Sequence, residues 1–207
     1  MGLGFDYILD GQSPLDYEER SGLLIKTVST HQELNEFEQQ NIELAIEWLM
    51  KQNILSERLL TEIFVKELHY QMFGNVWGWA GQFRQSNKNI GVDKRLIRIE
   101  LKKLFDDCRY WIDNKVFCDE EMAVRFKHRL VAIHPFANGN GRHSRLMADV
   151  IMDKIFKKPV FIWGGSNLVF ASVERSEYIK SVREADAGNF GPLLKFAQND
   201  DYSRNEG

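Results

Sequence analysis

Between Ile133 and Arg145 the chain reads Ile-His-Pro-Phe-Ala-Asn-Gly-Asn-Gly-Arg-His-Ser-Arg, and these residue types converge on anion chemistry. Gly139 and Gly141 permit positive φ, so successive backbone N–H groups can turn toward one point and form a nest. An apolar stripe (Leu146, Met147, Val150, Ile151) follows at once, so a helix start adds the positive end of its dipole there. Arg142 and Arg145 stand three apart, hence on one helix face, and each guanidinium can fork onto phosphate oxygens. His134 precedes the nest, and a reference pKa near ~6.5 suits a general base at neutral pH. A base beside bound polyphosphate is equipment for attack by a hydroxyl on phosphorus. The turn is not a P-loop, because the closing Lys-Ser/Thr pair is missing and no buried strand leads in. Each part alone has a plainer reading: His-Pro caps or packs a helix end, Gly-Asn-Gly turns, and two arginines sit in water. Their joint occurrence in one turn favours the anion site.

The elements that must hold this turn read as helices. Ile42, Ala45, Ile46 and Leu49 form one stripe. Ser56 is placed to cap a second helix, with Leu59, Leu60, Ile63 and Phe64 facing inward. Ile97, Leu101, Leu104, Phe105, Cys108 and Trp111 share a third face. Asp119 is placed to cap a helix carrying Ala123, Phe126 and Leu130, which Pro135 stops. A further helix through Tyr178 and Val182 ends near Gly188, and Pro192 opens the last. The stretch "GNVWGWAGQFRQSNKNIGV" breaks the period and suits a short β-hairpin or irregular flap. The expectation is an all-α bundle with one small hairpin.

With 207 residues, 43% of them hydrophobic, the chain can bury one sizeable core. A net charge of -3 argues against broad nucleic-acid binding. No apolar run nears the roughly 20 residues that span a bilayer, and the acidic, Gly- and Pro-broken start does not read as a signal peptide. Cys108 and Cys118 read as reduced thiols, so the cytoplasm is the expected compartment.

The opening run resembles the Fic family signature, His-Pro-Phe-x-(Asp/Glu)-Gly-Asn-Gly-Arg-x-x-Arg, at every fixed position but one. "LHYQMFGNVWGWAGQFR" is similar to the segment leading into that family's flap, and "RSEYIKSVREADAGNFGPLLKFA" to its later helices. "ELNEFEQQNI" is similar to the group called mobile mystery protein B. The resemblance divides the chain into an N-terminal arm (1–33), a Fic domain (34–198) and a polar tail (199–207). It implies a Fic-type helical bundle and a protein adenylyltransferase, moving AMP from ATP to a Ser, Thr or Tyr hydroxyl. In that reading His134 is the general base and Phe136 anchors its loop. Gly139, Asn140, Gly141, Arg142 and Arg145 bind the phosphates, and Tyr178 lies beside the adenine. The target docks as an extended strand on the 82–92 flap.

Asn138 is the departure. It stands where the family's acidic Mg²⁺ ligand belongs, and a neutral amide weakens such a site. The resemblance also implies a toxin-like protein restrained by an inhibitory glutamate that pairs with the second arginine, Arg145, and lies in the chain or on an antitoxin partner. Ser29 and Glu33 have the spacing of the inhibitory motif, though Leu34 breaks its end; Glu206-Gly207 has its serine one residue too close. Three alternatives stay open: removal of AMP or transfer of another phosphate group on the same fold, a nucleotide-binding or interaction module with little turnover, and, most distantly, a zinc hydrolase on His69, His128, His134 and His143.

Overall fold

Helical periodicity translates into eight α-helices in the computed structural model, which describes residues 20–164 and 172–198. They are α1 (His31–Lys51), the single turn α2 (Ser56–Leu59), α3 (Glu62–Phe73), α4 (Ile97–Asp113), α5 (Asp119–Ile133), α6 (Asn140–Ile151), α7 (Ser172–Asp186) and α8 (Gly191–Gln198). Residues 1–19 of the arm and the 199–207 tail, with Glu206 and Gly207, lie outside the described residues. Helix α5 is central and packs on α4, α6 and α8, while α3 rests on α1 and α6. Its inner residues Ala123, Phe126 and Leu130 are buried, as are Ile42, Ala45 and Leu49 of α1 and Ile97, Leu101, Leu104, Phe105 and Cys108 of α4. No helix among the described residues is long and apolar enough to cross a membrane.

Two caps differ from expectation. Ser56 lies inside the short α2, and Thr61 caps the following helix α3, its hydroxyl accepting from Phe64 N–H at 3.2 Å. That frame turns Ile63 outward, 71% exposed, while Leu59, Leu60 and Phe64 are buried. Cys118, not Asp119, is the N-cap of α5, without a side-chain cap bond. Asp119 instead meets the Lys158 ammonium at 2.9 Å. Gly188 does take a left-handed conformation (φ 90°) just past α7, and Pro192 sits in the first turn of α8.

The expected hairpin is absent: among the described residues the only β contact is an isolated bridge between Leu23 and Trp77. The reason lies in where the flap spends its donors. Arg84 N–H bonds to Pro135 O (3.0 Å) and Val92 N–H to Ile133 O (3.3 Å). These backbone donors of the 84–92 loop are thus spent on the end of α5 and the turn after it rather than on a ladder between the two legs. Asn87 closes the loop's base, accepting from Lys94 N–H and donating to Asp93.

Candidate active site

The turn between α5 and α6 begins with a conformational anomaly. His134 sits just beyond α5 at φ 54°, ψ 60°, a left-handed position usually given to glycine. Such a conformation costs an L-residue about 1–2 kcal/mol, so its neighbours must hold it. Arg84 does so, donating from Nε to His134 O at 2.7 Å. Gly91 presses on the same residue: a Cβ there would lie 2.6 Å from His134 Cβ.

His134 is 6% exposed. Burial, helped by the nearby Arg84 and Lys88 charges, lowers its pKa to about 4 rather than the ordinary histidine value expected from sequence. The resting imidazole is therefore neutral at pH 7, the form in which a base can accept a proton.

Phe136 is fully buried and fixes the turn, stacked on His69 with ring centroids 3.7 Å apart. His69 went unassigned in the sequence reading beyond the zinc alternative, yet it bolts two segments together. Gly81 N–H donates to its Nδ1 (3.0 Å), so Nε2 carries the proton and donates to Asn138 O (3.0 Å). Full burial holds its pKa well below the usual value, keeping this neutral tautomer.

The glycines divide their work. Gly139 has φ 77° and abuts Phe73, whose ring would stand 2.6 Å from an added Cβ. Gly141 lacks the expected positive φ; it lies in the first turn of α6, and nothing stands within 4 Å of where its Cβ would be. Its smallness leaves open space over the helix start. The first intrahelical bond there runs from His143 N–H to Gly139 O, so the amides of Asn140, Gly141 and Arg142 precede the ladder, as at any helix N-terminus. The Asn140 side chain is spent internally, accepting from Phe136 N–H and donating to Phe136 O, both at 2.9 Å. It shapes the nest and does not reach into it.

Arg145 is buried, bonds through Nε to Gly141 O at 3.3 Å, and stands 5.4 Å from the Tyr178 ring. Burial lowers its pKa to about 10, which leaves it charged at neutral pH. The Lys127 ammonium lies 4.3 Å over the same tyrosine ring. Arg145 and Tyr178 thus come together at the α6 start. Arg142 is differently placed. Its guanidinium donates to Glu38 on α1 at 2.7 Å, and the other carboxylate oxygen accepts from Trp77 Nε1 at 2.6 Å.

Glu38 is 2% exposed and was missed in the sequence reading. A signal existed: it lies four residues from both Leu34 and Ile42 on the buried stripe of α1, where a carboxylate requires a partner. Glu33, the residue singled out instead, completes a capping box with Thr30 and also accepts from Ser29. Its Ser-x-x-x-Glu spacing served the helix start. Asn138 offers one side-chain oxygen, already accepting from Gly139 N–H at 2.7 Å. Among the described residues no cluster of His, Cys, Asp or Glu could hold a metal ion.

Comparison with known proteins bears on the fold that carries this turn. The sequence model of the Fic/DOC family matches residues 59–152. The protein adenylyltransferase Fic of Aedes aegypti is 24% identical over 183 residues, covering 86% of this chain and 34% of that protein. Protein adenylyltransferase fic-1 of Caenorhabditis elegans is 28% identical over 141 residues, covering 64% of this chain and 25% of that protein. The chain spans about a third or less of the length of these relatives. Among solved structures, C. elegans Fic-1 superposes with a TM-score of 0.63 at 24% identity, covering 86% of this chain and 51% of that one. BepC of Bartonella tribocorum, solved with bound AMPPNP, gives 0.64 at 17% identity, covering 87% and 96%. Residues 59–152 thus match the Fic/DOC family model, and the described helices share the fold of solved Fic domains.

Proposed function

We propose that this chain is a protein adenylyltransferase that moves AMP from ATP to a Ser, Thr or Tyr hydroxyl of a target protein. The observation that carries this reading is the single turn that sets neutral His134 ahead of a helix start with open space at Gly141 and the buried Arg145 behind it. The target hydroxyl gives its proton to His134, its oxygen bonds to the α-phosphorus, and the bond to pyrophosphate breaks. The α6 amides and Arg145 hold the phosphates, and the positive charge beside them stabilises the departing pyrophosphate. Tyr178, beside Arg145, flanks the base. The target segment lies against the outer side of the 82–92 loop, whose inner side is committed to α5.

In the state described here Arg142 is occupied by Glu38. Glu38, rather than Glu33, is thus the candidate for the chain's own restraint on the phosphate site, acting on the first arginine, Arg142, where the resemblance implied the second, Arg145. Asn138, a neutral ligand already bonded to Gly139, fits magnesium poorly, and no step above passes through the metal.

Labelled ATP with a cell lysate tests both claims. The expected result is a labelled protein band that is absent with His134→Ala and several-fold stronger with Glu38→Gln, which keeps an acceptor for Trp77 but removes the charge. A band that persists with His134→Ala overturns the mechanism. ATP binding without any transfer in Glu38→Gln favours a nucleotide-binding module instead.

A further inference from the structure

Three consecutive carbonyls, those of Ile133, His134 and Pro135, accept hydrogen bonds from the 84–92 loop, through Val92 N–H, Arg84 Nε and Arg84 N–H. The buried Arg84 also binds the loop to itself, donating from Nη1 to Ser86 O at 2.8 Å and from Nη2 to Val92 O. One guanidinium therefore touches both legs of the loop and the backbone of the base. Its planar fork of donors reaches three carbonyls that diverge from one centre, which an ammonium on a flexible stem does not reproduce.

We propose that Arg84 is a positioning residue for the transfer reaction: it clamps His134 in its left-handed conformation and locks the imidazole's direction to the loop that receives the target. This rests on the proposed adenylyl transfer. The glycine at position 91 fits the same assignment, because its φ of 95° and absent side chain let the second leg lie directly on His134. His134 lacks the freedom of a residue at a frayed helix end. Its N–H bonds back to Leu130 O (3.2 Å), and its carbonyl is held by the clamp.

The clamp has an electrostatic side. Arg84 and Lys88, both on the loop, are the charges acting on the ring, and the Val131 carbonyl of α5 opposes them by favouring the protonated form. A merely structural arginine elsewhere in the core would not set the acidity of this base.

The test uses the full chain with Arg84→Gln and Arg84→Lys, read by NMR titration of the His134 imidazole (assigned with His134→Asn) and by steady-state transfer. The expected result for Arg84→Gln is a raised imidazole pKa, because a nearby like charge is lost while burial, the larger cause of the lowering, remains. Transfer kcat should fall by ~10²-fold with the KM for ATP nearly unchanged, the mark of a misplaced reacting group. Arg84→Lys should keep the pKa low and still lose kcat, since charge without the fork does not restore the clamp. A folded Arg84→Gln with an unmoved His134 titration and unchanged kcat overturns the proposal. If Arg84→Gln fails to fold, Arg84→Lys decides the matter by kcat alone, a wild-type rate refuting the clamp. If wild type transfers no AMP and the titration still shifts, the proposed reaction fails, the positioning role in transfer falls with it, and only the clamp of Arg84 on His134 is left standing.

Discussion

His69 and Asn138 show how much a single side chain here is decided by partners far away in the chain. His69 works because Gly81 N–H occupies one ring nitrogen and Asn138 O the other, and neither contact leaves a trace in local periodicity. The signature from His134 to Arg145 was legible because its residues are neighbours in sequence. The conformation of Gly141 was misjudged, because residue type reveals which backbone angles are permitted and not which are used. At Asn138 the chemistry yields a direct expectation. Asn138→Asp retains an acceptor for Gly139 N–H and adds a unit of negative charge, so the magnesium concentration for half-maximal transfer should fall several-fold. Initial rates across a magnesium titration check this, and coincident curves would refute it. Intact-mass measurement belongs beside it, since an Asn-Gly pair can deamidate to the same residue.

At the scale of elements, the 3.6-residue stripes placed α1, α4, α5 and α6 well, since a helix must bury one face whatever its ends do. The ends were harder to read. Ser56 and Asp119 are good capping types, but Thr61 and Cys118 hold the N-cap positions because packing against the neighbouring helices sets the frame. The flap failed as a hairpin for the same kind of reason, its donors at Arg84 and Val92 being claimed by the distant carbonyls of Pro135 and Ile133. The α3–α6 contact offers a sharp test. Gly139→Ala would force a side chain into φ 77° and against the Phe73 ring. The expected loss of stability is about 2–4 kcal/mol, combining left-handed strain with overpacking. Urea denaturation measures it, and an unchanged midpoint would mean that the turn relaxes freely.

For the whole molecule, burial of titratable groups dictates a pH dependence. His69, His128, His134 and His143 all have pKa values lowered chiefly by burial, to about 4 for His134 and about 3 for His143. Unfolded imidazoles take up protons near ~6.5. Between that value and the folded ones the unfolded chain binds more protons, so stability is full above pH ~6.5 and declines as pH falls. Asp149 acts oppositely. Burial pushes it up to about 7, so its contribution is present in acid and is lost as pH rises through 7. Four imidazoles outweigh one carboxyl, and the urea midpoint should be lower at pH 5 than at pH 7. A level or rising midpoint toward acid would contradict this account.

The seating of α1 decides how the proposed phosphate site would be freed. Asn41, one turn beyond Glu38, donates to Gln71 O and accepts from Asn75 N–H, riveting the helix to the far end of α3. With the backbone so anchored, Arg142 is released by torsions of the Glu38 side chain and not by departure of a whole segment. The latch therefore belongs to the fast motions of side chains, and under the proposed function an incoming triphosphate would compete for the guanidinium directly, without waiting for any rearrangement of the scaffold.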